Sequence, residues 1–250
     1  MKDIIDLHTH TIASGHAYNT LYEMAASAAQ KGIQVFGSSD HAPSMPGTCG
    51  AFYFINFKVI PRDLYGLHLL MGCELNIRDY EGRVDLSVSY LKRLDYAIAS
   101  IHEPCYKAGS VSENTAAYVG AIKNPYVTII GHPDDGRFPC DYETVVAAAK
   151  EHHTLLEVNA SSLHPLSPRP GARDNYKIML EYCKKYKAPV LISSDAHIES
   201  DIGRHERALA LLEELDFPED LIINTSIDKL LPYIPALGTD RSRKETSADD

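Results

Sequence analysis

Seven short apolar runs punctuate the chain, and polar residues follow at their carboxyl ends. Ile4 and Ile5 lead into Asp6, His8 and His10, while residues 33–38 end in Ser39, Asp40 and His41. Residues 68–73 end in Glu74, 94–101 in His102, 126–130 in Gly131 and His132, and 189–194 in Asp195 and His197. Residues 155–159 close on Asn159 and a polar loop. Runs this short and apolar predict strands buried on both faces. Between them the pattern turns helical: Asn19 to Gln30 with Gly32 as its stop, a short stretch near Leu86 to Arg93, Ser110 to about Lys123, Asp141 to His153, and Asp174 to Tyr186. Ser110 and Glu113 have the spacing of a capping box. Beyond the last run, Arg204 to Leu215 reads as an amphipathic helix, Leu221 to Asn224 as a short strand and Ser226 to Leu231 as a short helix.

Strands alternating with helices predict parallel β–α repeats. Polar residues at the carboxyl ends of so many strands favour a closed barrel, because an open sheet would string them along an edge whereas closure brings them together. Alternation along the first strand sends Asp6, His8 and His10 to one face and Leu7 and Thr9 to the other. Residues 42–66, rich in proline, glycine and aromatics, are too long for a plain link and form a candidate lid or pocket wall. A second loop, residues 160–171, carries Ser161, Ser162, His164 and Arg169.

The gathered set is His8, His10, His16, His41, Glu74, His102, His132, Asp195 and His197, with seven of the chain's 12 histidines. Buried imidazoles and carboxylates need partners, and a divalent cation is one that serves them all. His68, His152, His153, His164 and His205 fall elsewhere and read as packing, capping or surface residues. With 24 Lys and Arg against 34 Asp and Glu, the net charge of -10 disfavours a nucleic-acid partner and suits a small substrate. Five cysteines without a CxxC pair argue against a disulfide frame. No apolar stretch is long enough to be a membrane span or the core of a signal peptide, so a cytoplasmic protein without a membrane partner is expected. A single domain over residues 1–238 is expected, with a polar, disordered tail at 239–250.

The ordered motifs Asp6-Leu7-His8-Thr9-His10, Ser39-Asp40-His41, Glu74, Ile101-His102, Gly131-His132-Pro133 and Ser194-Asp195-Ala196-His197 closely resemble the PHP (polymerase and histidinol phosphatase) family. Likeness to its stand-alone YcdX type extends through Phe54-Ile55-Asn56, His102-Glu103-Pro104, Asn159 with Ser161 and Ser162, Asp174-Asn175 and Phe217-Pro218. The resemblance implies a distorted (β/α)7 TIM-like barrel with three divalent ions at the mouth, and a homotrimeric assembly. It places one ion on His8, His10, Glu74 and Asp195, a second on Glu74, His102 and His132, and a third on His16, His41 and His197. One departure is Asp134-Asp135 after Pro133, where relatives carry Gly-Asn.

Imidazole and carboxylate ligands without thiolate suit zinc, with manganese, iron or cobalt as alternatives. Three dications against two carboxylates leave a site of roughly four positive charges, matched to a phosphate dianion. The expected activity is hydrolysis of small phosphomonoesters by metal-bound hydroxide, with a phosphorylated metabolite or inorganic phosphate as ligand and no nucleophilic side chain. Asp6 and Asp40 are expected to orient the histidines, and Arg62, Arg169 and Arg173 are candidate phosphate contacts. The alternatives are a phosphodiesterase or nuclease on the same metals, an amidohydrolase-type barrel, which typically has a bridging lysine where this chain has His102, and a non-enzymatic metal store or scaffold.

Overall fold

Apolar and branched segments form strands wherever a helix can cover one face and an inner cluster the other. The computed structural model describes residues 3–238; the expected tail lies outside the described residues. β1 (Ile5–Asp6), β2 (Val35–Ser38), β3 (Asp63–Leu64) and β4 (Leu67–Met71) make one sheet in the order β1-β2-β4-β3. β5 (Cys73–Asn76), β6 (Ala97–Ser100), β7 (Ile129–Ile130), β8 (Leu155–Asn159) and β9 (Val190–Ser193) make a second in sequence order. Every ladder is parallel except the β3–β4 hairpin. The helices are α1 (Leu21–Gln30), α2 (Phe52–Ile55), α3 (Val88–Leu91), α4 (Val111–Ile122), α5 (Tyr142–Glu151), α6 (Ala172–Tyr186), α7 (Glu206–Glu214) and α8 (Ile227–Leu230). α1 and α4 begin with reciprocal capping boxes, Thr20 with Glu23 and Ser110 with Glu113, which satisfy amide groups that the first turn leaves free.

Most of the main strands divide their side chains between two apolar layers. Leu156 and Val158 of β8 join the outer core together with Tyr176, Met179 and Leu180 of α6, while Leu155 turns to an inner cluster. That inner cluster draws Ile5, Val35, Leu70, Ile98, Ile129, Leu155 and Leu191 from seven different strands of both sheets. The first and last parallel strands are also tied together: His10 N–H donates to the Ala196 carbonyl at 2.8 Å. The Asn224 amide bonds the carbonyls of Ile5 and Ile192, each at 2.8 Å.

Two sequence expectations change. The single strand expected over residues 68–73 is two strands, because the chain passes from one sheet to the other at Gly72. A β-carbon there would lie 2.5 Å from the buried ring of Tyr96, so only glycine lets the strands approach around that ring. The short strand expected at 221–224 is a pair of 3-10 turns, Glu219–Leu221 and Ile223–Thr225, touching β9 through one bridge between Val190 and Ile222. Residues 42–66 hold α2, a 3-10 turn and the β3 strand, and are pinned by Phe54 and Phe57, both buried in the outer core.

Candidate metal centre

Strand alternation delivers the central carboxylate. Cys73 and Leu75 belong to the outer core, so Glu74 and Asn76 point inward. Glu74 Oε1 lies 3.3 Å from His8 Nε2, 3.1 Å from His102 Nε2 and 2.9 Å from His132 Nε2, and Oε2 lies 3.5 Å from His10 Nε2 and 2.8 Å from His41 Nδ1. Asp195 Oδ1 approaches His8 Nε2 at 3.6 Å and His10 Nε2 at 3.3 Å. His16 and His197 meet through Nε2 atoms 3.0 Å apart, and the His10 and His41 rings stack against this pair. The nine residues singled out in the sequence therefore surround one place. Two of them, His132 with φ 28° and Asp195 with φ 55°, have left-handed backbones, a strain of about 1–3 kcal/mol each that the surrounding structure must hold.

The donor atoms fit cations. Potential ligand atoms of His8, His10 and Glu74, of His10, His41 and His197, and of His41, Glu74 and His102 fall within 4.8 Å of one another in each group. His10 thus stands closer to His41 and His197 than a strict division into three ligand sets anticipates. His8 Nε2, His10 Nε2 and His132 Nδ1 are buried without a hydrogen bond among the described residues. Leaving such atoms unpaired costs on the order of 1–3 kcal/mol each, so the first two, aimed at Glu74 and Asp195, are poised for a ligand that accepts their lone pairs. Burial pulls the His10 imidazole well below its ordinary range, and the neighbouring His197 and His41 add to that effect, favouring the neutral form a metal needs. Burial would raise Glu74 and Asp195, yet the surrounding imidazoles, and for Asp195 also Arg169, hold both well below the usual carboxylate range.

A surrounding layer aims the imidazoles. His8 Nδ1 lies 2.7 Å from Glu157 Oε1, and Glu157 Oε2 accepts the His132 backbone N–H at 2.6 Å. His102 Nδ1 lies 2.8 Å from Asn76 Oδ1, and His10 Nδ1 lies 3.0 Å from the Ser14 hydroxyl. Sequence reading passed over Glu157, Asn76 and Ser14. The available signal was a carboxylate within an otherwise apolar strand, two residues from Asn159 on the same face. Glu157→Gln is expected to weaken metal binding by about 10–100-fold, because it removes the charge that fixes the His8 tautomer while keeping side-chain volume. Titration of metal into the folded apo variant checks this; unchanged affinity would remove Glu157 from that role.

Asp40 and Asp6 sit differently from the expectation that both orient histidines. Asp40 receives the Ser14 hydroxyl at 2.7 Å, the Thr11 amide at 2.7 Å and the Tyr53 hydroxyl at 3.0 Å, so it reaches His10 only through Ser14. Asp6 accepts from the Ser194 hydroxyl at 2.6 Å and the Gly203 amide at 2.9 Å, with His205 Nε2 at 3.5 Å, and thereby anchors the turn before Asp195. Regular pairing of β1 stops at Asp6, so alternation does not carry it to the partners of His8 and His10.

Of the three arginines, Arg169 alone stands at the centre, its Nη2 3.0 Å from Asp195 Oδ2. Burial opposes its charge, but Asp195 and Asp134 raise its pKa further. Arg62 is committed to Asp95 at 2.7 Å and to the carbonyls of Phe57 and Ile60, bracing residues 57–62. Arg173 lies on the outside of α6, paired with Glu214. The acidic departure after Pro133 splits in two: burial pushes the Asp134 carboxyl up to about 6 against the pull of Arg169, whereas Asp135 clasps Arg137.

Comparison with known proteins places the chain as a whole among relatives. A probable phosphatase of Clostridium novyi is 44% identical over 238 residues, covering 95% of this chain and 97% of its own. The histidinol phosphate phosphatase of Lactococcus lactis, solved with zinc, L-histidinol and phosphate, aligns with a TM-score of 0.58 at 16% identity over 86% of this chain and 95% of its own. A chain in an archaeal ribonuclease P structure with mature tRNA aligns with a TM-score of 0.56 at 17% identity, over 93% of this chain and 89% of that one. At such identities the two structures speak to fold alone. The sequence profile of the PHP domain matches residues 6–226, and the chain belongs to the PHP domain family.

Proposed function

We propose that this protein is a metal-dependent phosphatase acting on small phosphomonoesters. The observation that carries the reading is the nest of seven imidazoles around Glu74 and Asp195, with His8, His10, His41 and His132 buried, His16 open to solvent, and ring nitrogens of His8, His10 and His41 without a hydrogen bond among the described residues. The names of the relatives point the same way. Three divalent ions, zinc foremost, would be held by His8, His10, His16, His41, Glu74, His102, His132, Asp195 and His197. When bound, such ions acidify water toward neutrality and neutralise charge on a transferring phosphoryl group.

The chain's own residues prepare that chemistry. Glu74 offers one oxygen to each side of the nest, the disposition a bridging ligand requires. Glu157 and Asn76 hold His8 and His102 with their other ring nitrogens inward. Arg169 holds Asp195 and would add positive charge beside a phosphate bound at the ions. A distorted (β/α)7 barrel is the architecture we infer, supported by the inner cluster drawn from seven strands and by the links between β1 and β9.

The test is phosphate release from protein of measured metal content, with p-nitrophenyl phosphate as monoester and bis(p-nitrophenyl) phosphate as diester. Monoester turnover exceeding diester turnover by at least about 10-fold, roughly 1.4 kcal/mol in barrier, is expected. The reverse preference would replace the reading with a phosphodiesterase.

A further inference from the structure

Beside Asp195 the loop after β8 and the residues leading into and opening α7 form a half-open cavity of about 260 Å³. Asp195 and Ser194 form part of its wall, and His164, Leu166, Arg204 and Arg207 line it with them. Its size is below the roughly 300–1,000 Å³ of typical ligand pockets, which suits part of a small metabolite. Arg204 and Arg207 lie outside the metal ligand set.

The charges in this cavity are unevenly committed. Asp195 is taken up by His8, His10 and Arg169. Asp201, the other acidic lining residue, is paired with Arg204 at 2.7 Å. Arg207, half-buried, has no carboxylate partner among the described residues, although a guanidinium readily takes one. His164 Nδ1 accepts the Leu166 amide at 3.1 Å, which leaves its Nε2 to carry the proton as a donor. The cavity thus joins a carboxylate of the metal nest to an uncommitted cation and an N–H donor.

We propose that this cavity binds the leaving-group portion of the substrate, and that Arg207, assisted by His164, holds a second anionic group on it. Preferred substrates are then phosphomonoesters bearing a further carboxylate or phosphate. The proposal rests on the phosphatase reading and specifies its substrate class. Arg207 acts by positioning, at a distance from the bond that breaks, so it affects substrate capture more than turnover.

Steady-state kinetics on the metal-loaded enzyme test it with four compounds. These are p-nitrophenyl phosphate and glycerol 3-phosphate without a second anion, 3-phosphoglycerate with a carboxylate, and fructose 1,6-bisphosphate with a phosphate. Wild-type kcat/KM is expected to favour at least one of the last two over glycerol 3-phosphate by about tenfold or more, and which one wins identifies the anion. Arg207→Ala is expected to erase that preference through KM, Arg207→Lys to restore part of it, and Arg173→Ala, on the outer face of α6, to leave it intact. Hydrolysis of p-nitrophenyl phosphate without any preference for a second anion overturns this proposal and leaves the phosphatase reading standing. So does an Arg207→Ala variant with the wild-type preference. No phosphate release from any of the four overturns both.

Discussion

Glu74→Ala is expected to leave about one metal equivalent of the three proposed, while His16→Ala leaves about two, by the sharing of ligands among four-coordinate ions. Three such ions need about twelve contacts, and nine side chains cannot supply them singly. Glu74 is the group placed to serve twice, because its two oxygens face different imidazoles: Oε1 toward His8, His102 and His132, and Oε2 toward His10 and His41. An imidazole usually gives one nitrogen to one ion. Without the carboxylate, the remaining dications repel one another with less negative charge between them, so phosphate release should fall at least about a thousandfold, several kcal/mol of transition-state stabilisation. Metal analysis of both variants, with circular dichroism to establish folding and Glu74→Gln as a volume-preserving companion, checks the result. Equal metal losses from Glu74→Ala and His16→Ala would remove the bridge.

Complete removal of metal by a chelator is expected to abolish phosphate release, and zinc or manganese to restore it. The Ser14 hydroxyl beside His10 is committed to Asp40, and the imidazoles and carboxylates of the nest are the groups that would hold the ions, so on this reading the attacking group is a water that the ions would activate. Chelation should also lower thermal stability, because His8 Nε2 and His10 Nε2 would again be buried without a partner. Full activity in protein shown to be metal-free would dispose of the mechanism. Among the described residues no helix is long and apolar enough to cross a membrane.

The sequence by itself determined the succession of seven apolar strand segments along the chain, most of their helical connections and the nine polar residues that gather around the proposed metal site, since each rests on local patterning. The division of those strands into two sheets at Gly72 does not. Hydrophobic period and capping boxes act over a few residues, as Thr20 with Glu23 and Ser110 with Glu113 illustrate. Tertiary structure alone decided which polar residues serve those nine. Glu157 meets His8 across 149 positions, a pairing no local pattern can encode. The arginines show the same limit: Arg62 is held by Asp95 and Arg173 by Glu214, while Arg169 reaches Asp195. Long flexible cations take whichever anion the fold brings near, so their assignment waits on packing. Gly72 is the converse case, a residue whose importance lies in an absent side chain, visible only once Tyr96 is seen to occupy that space.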